Sequence, residues 1–180
     1  MTARVDVTTN RARREWSHRA MIARILWGVC QPLFRFSPRP MWGWRVRLLR
    51  RFGAQIGGGV HVHPTARIMI PWHLRIDDQA AIGDRAILYA LGPIHIGARA
   101  TVSQNAHLCA GSHDLSDPAR ALVRSPISIG DDAWVCADAF VGSGVRIGAG
   151  AVLGARAVAT KDLPPRKLGI GNPMQIRELP

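Results

Sequence analysis

The sequence predicts an all-β core, a parallel β-helix, preceded by a helical and strongly basic extension. Two observations support this prediction. Apolar residues recur every six positions through most of the chain, and arginine and tryptophan concentrate in the stretch before the repeat begins. With 180 residues, the chain is long enough for one domain with a substantial core and an appendage.

The six-residue repeat is clearest from residue 129 onward. Its leading apolar residues are Ile129, Val135, Val141, Ile147, Leu153 and Ala159. Glycine often follows the leader directly, and a small residue generally stands four positions after it. Earlier groups of leaders are Ile56, Val62 and Ile68, then Ile76, Ile82 and Leu88, then Ile96, Val102 and Leu108. A period of six fits neither an amphipathic helix nor a series of hairpins. It predicts triangular coils of about eighteen residues, with one leader pointing inward from each side, small residues at the corners and glycine at the turns. Stacked coils then form three parallel sheets.

Residues 111–126 interrupt the repeat. Leu108 and Ile129 are 21 residues apart where 18 would keep the register. We therefore expect a loop that leaves the prism here, and loops on rigid scaffolds often carry function. The sequence divides into a basic helical extension over 1–52, the β-helix over 53–163, and a Pro- and Gly-rich tail over 164–180 that caps the last coil.

The charge is concentrated in the first part of the chain. Lysine and arginine total 24 against 12 acidic residues, and residues 1–55 hold 12 of the 24 basic residues with only Asp6 and Glu15. This part therefore carries +10 of the net +12. Such a block indicates an anionic partner, either a membrane surface, a nucleic acid or a phosphorylated substrate. No nucleic-acid recognition motif accompanies it, so we expect no nucleic-acid partner.

The expected location is the cytoplasm, either free or peripheral on the inner face of the cytoplasmic membrane. The three cysteines show neither zinc-site nor disulfide spacing, which fits a reducing compartment. The first 19 residues are too polar for a signal peptide, and the apolar stretch 20–36 is too interrupted to span a bilayer.

The extension has two interpretations. Apolar spacing predicts an amphipathic helix over 15–31 before Pro32, and a second short helix around Val46, Leu48 and Leu49. These helices either cap the open end of the prism or, for residues 10–40, lie on an anionic membrane with tryptophans at the interface.

Five segments in order resemble one family. They are PWHLRIDDQAAIGDRA (71–86), LCAGSHDLSDP (108–118), IGDDAWV (129–135), GARAVATKDLP (154–164) and GNP (171–173). Over residues 45–180 the chain resembles the hexapeptide-repeat acetyltransferases, most closely those of colanic-acid biosynthesis, which are related to the maltose, galactoside and nodulation-factor enzymes. The resemblance implies a left-handed β-helix and a homotrimer with active sites between subunits. It further implies acetyl-CoA as donor and a sugar hydroxyl as acceptor, in exopolysaccharide or lipid-linked saccharide biosynthesis.

The resemblance also assigns site residues. It makes His113 the catalytic base, which suits the chemistry because histidine can take a proton near neutral pH. Tyr89 and Asp114 fall on the acceptor side, where Asp114 orients either the loop or the histidine ring, or serves only the turn amides. The donor-binding positions are Trp134, Ala137, Gly154, Ala155, Thr160, Lys161, Asn172 and Arg177. The chain departs from the pattern at Ala90, where relatives often have Asn, and at Gln175, where they often have Lys or Arg.

Two other functions compete with the acetyltransferase. A γ-type carbonic anhydrase uses the same fold with three histidines on zinc, and His61, His63, His95, His107 and His113 are the candidates here. The Thr160–Asp162 and Gly171–Pro173 segments favour CoA, so we expect no metal. The other alternative is a non-catalytic, membrane-docked scaffold, which the departures at Ala90 and Gln175 permit.

Overall fold

Three helices precede a stack of short strands in the computed structural model, which describes residues 5–13 and 15–180. The helices are α1 Val7–Ala12, α2 His18–Arg35 and α3 Trp42–Arg51. The first nine strands are β1 Gln55–Ile56, β2 His61–Val62, β3 Arg67–Ile68, β4 Leu74–Ile76, β5 Ala81–Ile82, β6 Ile87–Tyr89, β7 Ile94–Ile96, β8 Thr101–Val102 and β9 His107–Cys109. The others are β10 Ser112–His113, β11 Leu122–Val123, β12 Ile127–Ile129, β13 Trp134–Val135, β14 Phe140–Val141, β15 Arg146–Ile147, β16 Val152–Leu153, β17 Val158–Ala159, β18 Lys167–Ile170 and β19 Gln175–Glu178.

The strands form the three stacked parallel sheets of a β-helix. Sheet A contains β1, β4, β7, β12 and β15, and sheet C contains β3, β6, β9, β14 and β17. Sheet B contains β2, β5, β8, β13, β16 and β18, with β19 added antiparallel. The leaders stack in register, as in the column Ile56, Ile76, Ile96, Ile129 and Ile147. All the predicted leaders are buried, which confirms the fold class and the apolar repeat as its cause.

The length of a coil differs from the prediction in the first half of the helix. Ile129 stacks on Ile147, eighteen residues later, but Ile56 stacks on Ile76 and Ile76 on Ile96, twenty residues apart each time. The extra residues lie at the corner between sheets C and A, where Pro71–His73 form a 3-10 turn. The eighteen-residue coil was therefore wrong for the early coils, because a corner can lengthen without moving the leaders.

Glycine directly after a leader was predicted to allow the turn, but the structure gives a different reason for it. Positive φ falls two positions later, mostly on residues other than glycine, such as Asp132 at 57° and Arg156 at 60°. Gly130 has no positive φ, but a Cβ there would lie 2.5 Å from the backbone nitrogen of Ala149 in the next coil. Close stacking of neighbouring coils therefore requires glycine at this position.

The loop and the tail complete the prism. Within residues 111–126, β10 and β11 form an antiparallel hairpin outside the three sheets. In the tail, β18 pairs with β16, β19 folds back on β18, and the buried Met174 lies over Gly169 near Leu153. The last coil is thereby covered at its core and along sheet B.

The helices close the other end of the prism. Each coil donates backbone N–H groups to carbonyls of the next coil, as from Gly57 to Ile76. Within residues 5–13 and 15–180, no earlier coil donates to the first coil, so its carbonyls need other partners. Side chains of the extension supply them: Trp27 Nε1 donates to Ile68 O at 2.8 Å, Arg45 Nε to Val62 O at 2.6 Å, and Arg50 Nε to Ile56 O at 3.0 Å.

Both boundaries of the first long helix differ from the prediction, and the helix begins at His18 instead of residue 15. The predicted end of the first long helix before Pro32 was wrong, because α2 continues through Pro32 to Arg35. The proline stands near the end of the helix, so it removes a single N–H from the helical ladder and leaves the preceding turns intact.

Candidate active site

His113 stands at the exposed end of the loop hairpin. It is the last residue of β10 and pairs with Leu122 of β11. Its Nδ1 lies 2.7 Å from the backbone oxygen of Arg120. A carbonyl oxygen only accepts hydrogen bonds, so in the neutral ring Nδ1 carries the proton and donates it. Nε2 is then left with a free lone pair, which is the arrangement that a general base requires.

A cleft of about 450 Å³ opens beside His113. Its walls come from β9, the loop, and the corners that follow β14 and β17. The lining residues are Cys109, Gly111, Ser112, His113, Val123, Ser125, Phe140, Gly142, Ser143 and Thr160. Of the residues predicted from the sequence, the cleft thus brings together His113 and Thr160. The hydroxyls of Ser125 and Ser143 were not predicted from the sequence as part of the site. The one sequence feature that could have indicated Ser143 is that Gly142-Ser143 stands at the same corner of the prism as Thr160, one coil earlier.

Asp114 serves the loop rather than the cleft. Its Oδ1 accepts from the Ser116 backbone N–H at 2.8 Å and from the Ser116 hydroxyl at 2.6 Å. These bonds, the hydroxyl's first, lower the pKa of the Asp114 carboxyl. The carboxylate makes no hydrogen bond to the His113 ring. Of the roles considered for Asp114, the structure shows the one in the turn.

Tyr89 and Ala90 lie one coil before the cleft and do not line it. The Tyr89 ring is half-buried and meets His107 edge-on with ring centroids 6.3 Å apart, and His107 in turn meets Phe140 at 5.3 Å. Ala90 is fully buried, and its carbonyl lies 2.9 Å from Nδ1 of His73. Tyr89 thus lies next to the cleft without lining it, paired with the lining residue Cys109 on the neighbouring strand and in contact with His107.

The loop is tied to the N-terminal segment. Asn10 Nδ2 donates to Ala119 O at 2.7 Å, and Arg13 pairs with Asp117 at 3.3 Å. Nearby, Glu15 pairs with Arg124 at 3.1 Å. These contacts join residues more than 100 positions apart and hold the turn whose Arg120 carbonyl fixes His113. No sequence pattern indicated them.

The predicted donor-binding residues occupy another edge of the prism. Ala137, Gly154 and Ala155 stand at the corner between sheets B and C, where Arg156 N donates to Ala137 O at 2.9 Å. The Gly171 carbonyl accepts from Val158 N at 3.1 Å, which places the Gly171–Pro173 turn above the same corner.

The remaining donor residues are exposed. Trp134 precedes the corner, is half exposed, and donates from Nε1 to the Ser103 hydroxyl at 2.7 Å. Asn172, Lys161 and Arg177 are exposed, and the Arg177 guanidinium meets Gln175 Oε1 at 3.4 Å. Thr160 and Lys161 follow β17 on the His113 side, so one chain places its two groups of site residues on opposite edges of sheet C.

The histidines considered for zinc are dispersed. The His61 ring stacks on Trp42 with centroids 4.8 Å apart, while His95 Nε2 lies 2.6 Å from Asp77 on sheet A. His63 contacts Thr65 at 2.8 Å and lines a second hollow, of about 610 Å³, on sheet B. Among residues 5–13 and 15–180, no three His, Cys, Asp or Glu side chains are grouped to hold a metal ion.

Comparison with known proteins reveals the family. No protein-family model matches the chain. The chain is 42% identical over 160 residues, 88% of each protein, to WcaF of Escherichia coli (strain K12), named for acetyl transfer in colanic acid biosynthesis.

Solved structures share the fold. A hexapeptide-repeat-containing acetyltransferase of Vibrio cholerae O1 biovar eltor, complexed with acetyl coenzyme A, superposes with a TM-score of 0.85 at 25% identity, covering 97% of this chain and 96% of its own. A maltose O-acetyltransferase of Clostridium difficile 630 superposes at 0.82 with 22% identity, covering 90% and 88%. The fold is therefore the predicted left-handed β-helix, and the chain belongs to the hexapeptide-repeat acetyltransferases, in the family of the colanic acid biosynthesis enzymes.

Proposed function

We propose that this acetyltransferase moves the acetyl group of acetyl-CoA to a hydroxyl of a saccharide acceptor, with His113 as general base. The observation that carries the proposal is the bond from His113 Nδ1 to the Arg120 carbonyl at 2.7 Å. It fixes the tautomer and the ring orientation together, and leaves Nε2 beside the cleft as proton acceptor.

The chemistry follows from that placement. A sugar hydroxyl gives its proton to Nε2 of His113 as its oxygen bonds to the thioester carbonyl carbon. The negative charge then develops on the former carbonyl oxygen, for which the cleft offers the hydroxyl donors of Ser125, Ser143 and Thr160. When the carbon–sulfur bond breaks, the proton on His113 passes to the departing CoA sulfur. The base returns to its starting state, and the products are the sugar ester and free CoA.

The donor side supports CoA and a trimer. The solved Vibrio relative holds acetyl coenzyme A, and the present chain offers exposed cations at Lys161 and Arg177 for the phosphates. Because the donor residues at the corner between sheets B and C lie across sheet C from His113, one chain does not assemble the whole site. We therefore propose a homotrimer in which a neighbouring copy brings its donor corner to the His113 cleft.

A saccharide is the acceptor that the relatives favour. The name of the 42% identical relative places it in colanic acid biosynthesis, and a relative of the same fold is a maltose O-acetyltransferase. An open cleft lined by hydroxyls suits a polyhydroxylated ligand, because each hydroxyl both donates and accepts. These names and this lining support our proposal that the reaction belongs to polysaccharide or lipid-linked saccharide assembly.

The test is release of CoA thiol from acetyl-CoA with a panel of saccharides, with the acetylated product identified by mass. His113→Ala should lower turnover by about two decades or more while the protein stays folded, the usual contribution of a positioned base. His95→Ala is the matched control, since His95 lies on sheet A beside Asp77. Equal turnover of His113→Ala and the control would contradict the role of His113. Thiol release that no saccharide stimulates would contradict the acceptor class.

A further inference from the structure

Helix α2 has two apolar faces, and only one of them packs against the protein. Trp27 and Phe34 are 2% and 3% exposed and face the prism. A second set of side chains is between 54% and 81% exposed: Ile22, Ile25, Leu26, Val29, Leu33 and Phe36. At 100° per residue, this second set falls within an arc of about 100°, centred about 140° around the helix from the packed face. We call these six residues the exposed stripe.

The exposed stripe continues onto α3. Leu26 joins Trp44, Leu48 and Phe52 around a shallow hollow of about 890 Å³. Trp44 is 38% exposed, and its Nε1 donates to Leu33 O at 3.2 Å, which holds α3 against the end of the stripe. Exposed apolar side chains of α2 therefore adjoin apolar side chains of α3. Grouped apolar side chains on a surface mark interaction sites, whereas singly scattered ones do not.

Arginines without acidic partners border this surface. Arg47, Arg50 and Arg51 line the hollow, and Arg19 is exposed near the start of α2. Among the described parts of the chain, no carboxylate lies within 4.0 Å of any of these four.

The two acidic residues of the extension are occupied elsewhere. Asp6 caps α1 through Thr9 N at 2.9 Å, and Glu15 pairs with Arg124 at the loop. The surface therefore joins exposed apolar side chains to a rim of uncompensated positive charge.

We propose that the exposed stripe and the α3 hollow form a surface that docks on a membrane rich in anionic phospholipid. A helix that combines an apolar face, flanking arginines and interfacial tryptophan binds in the plane of the membrane interface. None of the described helices is long and apolar enough to cross a bilayer, and α2 already uses its other face to cap the prism. The helix therefore lies along the lipid headgroups while the β-helix stands clear of the membrane.

The positive charge of the surface favours an anionic membrane over a zwitterionic membrane or a second copy of the chain. A zwitterionic membrane would engage the apolar stripe alone and leave the arginines without counter-charges. An anionic membrane satisfies both, because lysine and arginine near its surface are each attracted to the lipid phosphates and carboxylates. A second copy packed stripe to stripe about a two-fold axis would bring the same arginines face to face, so the charge disfavours self-association of that kind.

The experiment is co-sedimentation of the full-length protein with vesicles, without substrates, so that its outcome is independent of the acetyl-transfer proposal. Vesicles of phosphatidylglycerol mixed with phosphatidylcholine should bind the protein at low salt at least tenfold more tightly than pure phosphatidylcholine, and high salt should weaken the binding.

Two pairs of variants separate the two components of the surface. Ile25→Glu with Val29→Glu adds acidic groups at positions 60% and 71% exposed, so the fold is retained while binding should fall at least tenfold. Ile176→Glu, at an exposed apolar site on β19, should bind as the unaltered chain does. Arg47→Gln with Arg51→Gln should lower binding about tenfold or more, whereas Arg156→Gln with Arg166→Gln makes the same charge change at exposed corner positions and should not.

The outcomes that overturn the proposal are equally defined. Equal binding to neutral and anionic vesicles, or unchanged binding of the Ile25/Val29 variant, removes the membrane role. If the stripe instead joins copies of the chain, sedimentation velocity will show a larger assembly that the Ile25/Val29 variant abolishes, with no vesicle binding.

Discussion

Arg45 offers the most direct test of how the extension stabilises the β-helix. It is fully buried in α3 and makes four hydrogen bonds. Its guanidinium donates to Val62 O at 2.6 Å, the Ser37 hydroxyl at 2.9 Å, Pro38 O at 2.9 Å and Arg39 O at 2.6 Å. It also lies 4.7 Å from the centre of the Trp42 ring. Arg45→Met keeps most of the volume and removes every donor.

The expected loss in the free energy of unfolding follows from these contacts. The Val62 carbonyl is left without a donor at the end of the prism, and an unsatisfied buried carbonyl costs about 1–3 kcal/mol. Loss of the other charge-assisted bonds adds to this, while release from the cost of burying a charge subtracts from it. The net destabilisation should be about 3 kcal/mol. In a chain of this size, 1 kcal/mol corresponds to about 2–4 °C, so Tm should fall by about 6–12 °C.

Thermal unfolding by circular dichroism measures the change, at one protein concentration because association shifts Tm. Arg47→Met is the matched control: it makes the same substitution in the same helix, at an exposed residue whose side chain makes no hydrogen bond within the part of the chain described. Equal Tm values for the two variants would refute the reasoning that Arg45 caps the first coil.

Two further predictions concern the donor site and pH. Lys161→Glu should raise the KM for acetyl-CoA more than the KM for the acceptor, because reversing a charge beside phosphate acts on the donor selectively; equal effects in initial-rate kinetics would argue against this placement. Burial lowers the pKa of His107, so the folded state resists protonation of this ring. The free energy of unfolding that is linked to the ring is therefore fully present at neutral pH. It is lost as the pH falls below about 6.5, the pKa of an exposed histidine. Between about pH 7.5 and about pH 5.5, Tm should therefore decline more steeply for the native chain than for His107→Gln, and parallel curves would contradict this.

The sequence predicted the scaffold well because the residue pattern within each hexad indicates which of its positions are buried. A leader such as Ile129 must point inward wherever it falls in a coil, and the small residue four positions later must be buried, as Ala133 is. The number of residues per coil was less predictable. A corner can take in two extra residues, as it does at Pro71–His73, without changing which side chains are inside.

Site residues could be predicted from the sequence only where the side chain itself has the functional group that the reaction uses. His113 stands in a recognisable motif, and Thr160 stands beside it in the cleft. Asp114 follows the same histidine, but its carboxylate is taken by Ser116. Which neighbour a short polar side chain contacts depends on loop geometry that the sequence leaves open.

The amino-acid sequence by itself determined the β-helix, the place where the loop leaves it, and the basic character of the extension, because periodicity and charge are local properties of the chain. Only the tertiary structure decided which groups close the prism and orient His113, the proposed base. Trp27 reaches the Ile68 carbonyl, Asn10 the Ala119 carbonyl, and His113 the Arg120 carbonyl. The reason is physical: every residue has a backbone carbonyl, so a carbonyl leaves no mark in the sequence, and its partner is set by where distant segments meet in the fold.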